Sequence, residues 1–235
     1  EKPFGVTLSK LANFGEKVWT IADAPMDGTH FMDDKFAYIY SSGKLKVVDI
    51  RSAQEAKTIS LGQGSSVCRF NEETGKYSTD DKTFKVKKPI THRASVGFGK
   101  YQYFMSYTPG FLGRANIETG KVEYLQVPLQ VSYKDGKKLY SWKKHVAMTE
   151  TPNGLEVGGD KRIRGNGFGH VTAATPIVIN NKIYFTTILG TVYVLDGLAE
   201  KLGETALLSV NDLGVAGETW TLATVTAAQG KIFHR

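Results

Sequence analysis

The stretch NNKIYFTTILGTVYVLD, residues 180–196, decides the fold, because a second stretch of the chain repeats it. Residues 33–49 read DDKFAYIYSSGKLKVVD, and the two stretches align without a gap. The matched pairs are Lys35 with Lys182, Phe36 with Ile183, Tyr38 with Phe185, Gly43 with Gly190, Leu45 with Val192, Val47 with Val194, Val48 with Leu195 and Asp49 with Asp196. Each copy is two short β-runs around a glycine turn. A repeat of this size predicts an array of similar sheets.

A short turn motif recurs along the chain. Residues 71–76 read NEETGK and residues 116–121 read NIETGK. Both are typical of the turn between the last two strands of a sheet, where Asn leaves the strand, Gly takes the positive φ and Lys starts the return. In the main repeat the corresponding turns begin at Asp49 and Asp196 but lack the glycine. A degenerate version lies at residues 156–161, EVGGDK.

The spacing of these turns predicts four-stranded units. Asn71 and Asn116 are 45 residues apart, and Asn116 and Asp196 are 80 apart, which is two units of 40. Only 22 residues separate Asp49 from Asn71. Either one unit is reduced there, or residues of the protein are absent between about Leu61 and Val67.

The C-terminal end repeats the pattern. QGKIFH, residues 229–234, resembles NKIYF at residues 181–185, so a further unit begins near Thr219 and ends after its second strand. Since half a unit leaves unpaired edge groups, either N-terminal strands such as KVWTIAD at residues 17–23 complete the array, or the protein is longer. We expect residues 1–235 to belong to one domain, incomplete at its C-terminus and near residues 61–67.

Composition narrows the function classes. The 235 residues include 41% hydrophobic side chains, 25 glycines and 7 prolines, which suits a turn-rich β-protein. No apolar run reaches the length of a membrane-spanning helix. The first ten residues, EKPFGVTLSK, lack the pattern of a secretory signal, although a processed exported protein would look the same. Cys68 is the one cysteine, which excludes an internal disulfide and favours a buried structural thiol.

The formal charge of +7 concentrates in three segments, residues 82–89, 137–145 and 161–165. They indicate either a basic face for an acidic partner or lipid headgroups, or solvated edge strands that lysines protect from aggregation. The sequence has no helix with clustered arginines and no nucleic-acid-binding signature.

Residues 175–196, TPIVINNKIYFTTILGTVYVLD, resemble the repeat of quinoprotein-like β-propellers, also called PQQ-like repeats. NIETGK resembles the turn that follows in that repeat, and residues 217–235 resemble a later blade. The resemblance implies an all-β propeller of four-stranded antiparallel blades, seven or eight in a complete ring, of which this sequence covers about five to six. It also implies a periplasmic or extracellular protein. Activity does not follow, because this family includes both quinone-dependent dehydrogenases and non-catalytic scaffolds.

The dehydrogenases of this family stack their cofactor between a tryptophan and a disulfide of adjacent cysteines, and bind Ca²⁺ through Glu and Asn. The single cysteine, Cys68, excludes that disulfide. Trp220 is then either a stacking face or, as is usual in propeller strands, packing between blades. The five histidines lack the spacing of a metal site. The sequence therefore assigns no catalytic residue, metal or cofactor.

The segment RIRGNGFGH, residues 162–170, opens the best-matching unit. Its glycines allow close backbone approach to a ligand, so Arg162, Arg164 and His170 could form an anion-binding rim at the channel mouth, with Trp220 beside them. The alternative is a glycine-rich connection with solvated arginines.

We expect a non-catalytic propeller that serves as a scaffold or protein-interaction subunit of an exported complex. Basic and aromatic connections at residues 106–114 and 132–145 would supply contacts to a protein partner, an acidic surface or a glycan. Nucleic acid is not an expected partner. The alternatives are a dehydrogenase that uses pyrroloquinoline quinone (PQQ) with Ca²⁺, and a glycan-binding propeller.

Overall fold

The computed structural model describes residues 5–10, 12–13, 15–22, 31–41, 43–81, 84, 91–106, 108–150, 153–156 and 174–234. These residues form twenty β-strands and a 3₁₀ turn at Glu204–Ala206. The strands are β1 (Gly5–Ser9), β2 (Lys17–Ala22), β3 (Phe31–Met32), β4 (Phe36–Ser41), β5 (Lys44–Asp49), β6 (Glu55–Ser60), β7 (Ser66–Asn71), β8 (Lys76–Asp80), β9 (Thr91–Phe98), β10 (Tyr101–Ser106), β11 (Phe111–Asn116), β12 (Val122–Gln126), β13 (Gln130–Lys134), β14 (Lys137–Ser141), β15 (Ile177–Ile179), β16 (Lys182–Thr186), β17 (Thr191–Asp196), β18 (Leu207–Asp212), β19 (Thr226–Ala228) and β20 (Lys231–Phe233). Within the described ranges, no helix is long and apolar enough to cross a membrane.

Three groups of strands form four-stranded antiparallel meanders, in which consecutive strands lie side by side. We call them blade 1 (β3 to β6), blade 2 (β9 to β12) and blade 3 (β15 to β18). Their central strands are buried on both faces, as in β10, β11 and β17. Double-sided burial explains why these strands have continuous apolar runs instead of strict alternation.

The blades pack face to face. One cluster between blades 1 and 2 includes Tyr38, Tyr40, Leu45, Val47, Phe104, Phe111 and Tyr124. A second cluster between blades 2 and 3 includes Tyr103, Met105, Leu112, Leu125, Ile183, Phe185, Tyr193 and Leu195. Beyond them, Val6, Trp19 and Ile21 of the β1–β2 hairpin pack on blade 1. Val225, just before β19, packs on the far face of blade 3.

This arrangement is that of a β-propeller, whose up-and-down four-stranded sheets stack around an axis. The described residues give five successive layers, namely the β1–β2 hairpin, the three blades and the segment that ends in β19–β20. The all-β fold and its four-stranded blades are thus confirmed. The number of blades in a complete ring stays a prediction.

Four of the five predicted turn markers each end a strand and begin the turn to its neighbour. The Oδ1 of Asn116 accepts hydrogen bonds from the backbone N–H groups of Glu118 and Thr119, and Asn71 makes the same turn. Asp49 does so in blade 1, and Asp196 accepts from Leu198 in blade 3. A short polar side chain that accepts from the backbone two or three residues ahead stabilises this turn. The prediction from the sequence is confirmed here.

The repeated hairpins of blades 1 and 3 match only after a shift of one residue in their first strands. Tyr38 pairs with Val47 in blade 1, whereas in blade 3 the residue that pairs with Val194 is Tyr184 and not Phe185. Tyr38 also lies on the face toward the following layer, as Tyr184 does, while Phe185 faces the preceding blade. The gapless pairs of the first strand, such as Tyr38 with Phe185, are therefore wrong.

The cause of the shift is the turn. In blade 1, two residues separate the paired Ser41 and Lys44. In blade 3, the Thr187 N–H donates to the Thr191 carbonyl, and three residues lie between them. The extra residue displaces β16 relative to β4. The second strands keep the aligned pairs, so Asp49 and Asp196 occupy the same place.

The short interval between Asp49 and Asn71 is occupied by a hairpin that is added to blade 2. Strand β7 pairs in parallel with β12, the outermost strand of that blade, and β8 pairs with β7. Both ends of the connection from blade 1, Leu61 and Ser65, are buried, and the Tyr124 hydroxyl donates to the Leu61 carbonyl at 2.6 Å. The half-length interval thus corresponds to extra strands on the edge of a neighbouring blade.

In its described residues, the 80-residue interval between Asn116 and Asp196 does not form the two stacked units that its length predicts. Blade 3 packs directly on blade 2, and the Tyr103 hydroxyl donates to the Gly197 carbonyl at 3.2 Å. In the described part of residues 127–176, the antiparallel hairpin β13–β14 is the one pair of strands. Of the degenerate marker at residues 156–161, Glu156 is described and forms a bridge with Glu150.

Candidate protein-interaction surface

The predicted anion-binding rim stays a prediction, because the structure describes one of its four residues, Trp220. Arg162, Arg164 and His170 lie outside the described residues. Trp220 is half-buried and packs against the cluster between blades 2 and 3, which fits the packing role. The described residues hold no group of three or more His, Cys, Asp or Glu side chains that could bind a metal ion. Cys68 is buried, and this burial raises the pKa of its thiol.

One of the two predicted contact segments is part of the core. Residues 106–114 include Phe111 and Leu112, which are buried in β11. Arg114 is also fully buried, and its Nε donates to the Glu123 carboxylate at 2.7 Å. The two terminal nitrogens of the guanidinium donate to the carbonyls of Ala199 and Glu200, both at 2.7 Å. For Phe111, Leu112 and Arg114 the prediction of exposed contacts is wrong, because these side chains are buried and Arg114 joins blade 2 to the loop after β17.

The second segment is an exposed hairpin with an anchored base. We call residues 130–144, which comprise β13, β14 and the three residues that follow, the basic hairpin. At its base the Gln130 side chain accepts from the Val146 N–H at 2.8 Å and donates to the Val146 carbonyl at 2.9 Å. The Tyr193 hydroxyl of blade 3 donates to the Pro128 carbonyl at 2.6 Å. Val131 is buried in the cluster between blades 2 and 3. The hairpin therefore extends from a fixed base.

Two neighbours fix the sides of the basic hairpin. Lys138 donates through Nζ to the Val210 carbonyl of β18 at 2.7 Å. On the other side Trp142 stacks on Phe70 of the added β7–β8 hairpin, with ring centroids 4.0 Å apart and planes 10° apart. This geometry is a stacked aromatic pair. These contacts hold the hairpin between the outer edges of blades 2 and 3.

An ion pair supports the stack. Lys143 lies 2.8 Å from the Glu72 carboxylate, and this hydrogen bond raises the pKa of Lys143. Beside the pair is a shallow cavity of about 470 Å³, whose lining includes Arg69, Glu72 and Lys143. These contacts were not predictable from the sequence, because Phe70 and Glu72 are about 70 residues away from their partners along the chain.

The upper part of the hairpin exposes large side chains. Tyr133 is 58% exposed, Tyr140 47% and Leu139 46%. The tip is the two-residue turn Asp135–Gly136, where both residues have positive φ. Such a turn gives a tight hairpin whose twist matches its strands. A fixed two-stranded projection thus presents aromatic and aliphatic surface to solvent.

Two of the hairpin's lysines face each other across the strands. Lys134 pairs with Lys137, and Ser132 pairs with Leu139, so these four residues share one face. Like charges directly opposite each other destabilise a strand pair. In the described part of the chain, no carboxylate lies within ion-pair distance of Lys134 or Lys137. Asp135, in the turn, is the one acidic residue among the fifteen of the basic hairpin.

Comparison with known proteins gives structural similarities alone. No family model matches the chain, and no curated protein matches it. The Neurospora crassa Pan2 WD40 domain is 8% identical with a TM-score of 0.40, over 86% of this chain and 42% of that one. BamB from Moraxella catarrhalis is 12% identical with a TM-score of 0.36, over 93% of this chain and 57% of that one. A quinohemoprotein alcohol dehydrogenase from Pseudomonas putida HK5 is 12% identical with a TM-score of 0.38, over 76% and 20%.

The chain thus spans between 20% and 57% of the length of these three structures. Identities and TM-scores of this size carry no argument about the function of this chain. The propeller assignment rests on its own sheets, and the functional interpretation rests on the basic hairpin.

Proposed function

We propose that the protein is a non-catalytic β-propeller that acts as an interaction subunit or scaffold in an exported complex. The observation that carries the proposal is the basic hairpin, which is fixed at its base and sides yet exposes Tyr133, Leu139 and Tyr140. Tyrosine supplies a large contact area at a small cost in side-chain entropy and is enriched at protein interfaces. A partner that binds here would meet a preformed surface, which limits the entropy lost on association.

The scaffold interpretation follows from the packing. The blades are joined by clusters of buried hydrophobic side chains and by the buried Arg114, so the frame that holds the hairpin is stiff. Function in such folds lies on the loops that a rigid frame positions. The exported setting of the complex rests on the resemblance to PQQ-like repeats.

Photo-crosslinking in the native host tests the proposal. A photoreactive amino acid is placed at Tyr133 on one face of the basic hairpin or at Leu139 on the other, and at the comparably exposed Val18 and Ile232 as controls. We expect a discrete protein adduct from the two hairpin positions and none from the controls. Equal adducts from all four positions, or none, would overturn the proposed surface.

The non-catalytic part has its own test. Purified protein is mixed with PQQ and Ca²⁺, and quinone absorbance and dye reduction are followed with several alcohols and sugars. We expect neither stoichiometric binding nor reduction of the dye. Turnover in this assay would contradict the scaffold proposal and support a dehydrogenase.

A further inference from the structure

We infer that the partner of the basic hairpin is a protein segment that is acidic and extended, with carboxylates alternating with apolar side chains. This inference rests on the proposed function and specifies the chemistry of its partner. It starts from the face that Ser132, Lys134, Lys137 and Leu139 share, since the opposite face of the hairpin is attached to blade 3 through Lys138 and Val131.

The charges of the hairpin determine the sign of the charge that its partner carries. Lys134 and Lys137 are exposed and directly opposed, which costs free energy in the unbound protein. A carboxylate between the two ammonium groups would remove that repulsion and add two charge-assisted hydrogen bonds. Lys144, which is exposed, extends the positive potential along the same segment, whereas Lys143 is already paired with Glu72. Complementary charge of this kind speeds association and excludes basic partners.

The spacing of Lys137 and Leu139 determines the order of acidic and apolar residues in the partner segment. Lys137 and Leu139 are two residues apart on β14, which places them roughly 7 Å apart along the strand. An extended partner segment has the same repeat, so a carboxylate and an apolar side chain at positions i and i+2 would reach Lys137 and Leu139 together. Leu139 is 46% exposed, and an apolar side chain of the partner would cover it. The surface thus favours alternating acidic and apolar residues.

The chain supplies a matched control for these lysines. Lys182 and Lys231 each follow a two-residue positive-φ turn, at Asn180–Asn181 and Gln229–Gly230, as Lys137 follows Asp135–Gly136. Both control lysines are exposed at the start of a strand. Charge reversal there changes the net charge by the same amount as charge reversal at Lys134 and Lys137.

The test is fluorescence anisotropy with a labelled peptide that alternates Glu and Val. We expect the parent protein to bind this peptide. The Lys134→Glu/Lys137→Glu variant should bind it at least about tenfold more weakly, because like charges then face each other across the interface. The Lys182→Glu/Lys231→Glu variant should bind within about twofold of the parent, and Leu139→Ser about fivefold more weakly. Thermal unfolding of each variant verifies that the fold is kept.

Three results would overturn the inference. They are equal binding of the peptide by both charge-reversal variants, equal binding of a Gln–Val peptide, and tighter binding of single-stranded DNA or phosphatidylglycerol vesicles than of the Glu–Val peptide. Crosslinked adducts at Leu139, on the same face as Lys134 and Lys137, that persist in Lys134→Glu/Lys137→Glu would leave the interaction surface standing but reject its acidic partner. Absence of any adduct in the parent protein would instead reject the proposed function.

Discussion

Blades 1 and 3 carry the repeated hairpin, yet they bind opposite faces of blade 2 by different chemistry. The contact with blade 1 is aromatic: the rings of Tyr40 in blade 1 and Phe104 in blade 2 have centroids 5.6 Å apart, and Phe104 packs on Tyr124 within blade 2 at 5.8 Å. The contact with blade 3 adds the buried Arg114, which is paired with Glu123 inside blade 2 and donates to carbonyls in the loop after β17. The same repeat therefore tolerates either an aromatic interface or one with a buried charge that is hydrogen-bonded through all three guanidinium nitrogens. Shape and polar satisfaction matter more than residue identity.

The largest effect is expected on the blade 3 side. Arg114→Ala leaves the Glu123 carboxylate and the carbonyls of Ala199 and Glu200 without their donor. We expect a loss of about 3–5 kcal/mol in the free energy of unfolding, because removing one partner of a buried pair leaves the other uncompensated. Urea denaturation measures it, with the exposed Arg51→Ala as control. A loss near that of the control would show that Arg114 is not buried between the blades.

A smaller loss is expected on the blade 1 side. A Cβ at Gly113 would lie 2.4 Å from the Phe104 ring and 3.0 Å from that of Tyr124. Gly113→Ala should therefore cost about 1–3 kcal/mol by overpacking. Phe104→Leu removes the obstructing ring, so in its background Gly113→Ala should cost much less. Strictly additive losses in denaturant titrations would contradict the contact.

The turns that begin at Asp49, Asn71 and Asn116 extend the comparison to single residues. Ala53 in blade 1 has φ +60 at the position where Gly75 and Gly120 stand in the equivalent turns, with φ +66 and +79. Ala53→Gly should stabilise the protein by about 1 kcal/mol, because glycine adopts this conformation without steric strain. Gly120→Ala should destabilise it by a similar amount. Shifts of equal sign for the two variants in thermal unfolding would reject this equivalence.

The smallest expected effect is acid-dependent. Hydrogen bonds from the backbone N–H groups of Ser52 and Arg51 hold the pKa of Asp49 below its usual value. The carboxylate therefore stabilises the fold above the unfolded-state pKa of about 3.9, and this contribution is lost as the pH falls through the folded-state value. The Asp49→Asn variant has the same residue at this position as the turns at Asn71 and Asn116. Its melting temperature should fall less between pH 7 and pH 3 than that of the parent protein. The melting temperature of Asn71→Asp should fall more, and the opposite order would contradict the assignment.

The sequence was sufficient to predict the blades, because the glycine hairpins and the turns after them indicated the same strands independently. Glycine hairpins with apolar strands located β4–β5 and β16–β17, and the turns at Asp49 and Asn116 located the strands that follow. The offset between the first strands was not predictable. Strands buried on both faces are apolar at every position, so the sequence lacks the alternation that would reveal a one-residue slip.

Non-local pairing explains the remaining errors. The parallel contact between β7 and β12 joins segments that are far apart in the chain, and the 22-residue interval was its one trace. Arg114 looked like an exposed contact because its acceptors, the carbonyls of Ala199 and Glu200, carry no side-chain signature. Of the candidate surface, the sequence located the lysines and aromatic residues of the basic hairpin. The opposed pair Lys134 and Lys137 required the register of β13 and β14.

The most direct test of stacked, separate blades is a nuclear Overhauser spectrum of aromatic-labelled protein. We expect cross-peaks between the ring protons of Tyr40 in blade 1 and Phe104 in blade 2, whose ring centroids are 5.6 Å apart. We also expect backbone contacts between Val47 and Tyr38, within blade 1. Absence of the ring cross-peaks, together with backbone contacts that join β5 to β17 in one sheet, would show that the blades are not separate stacked sheets.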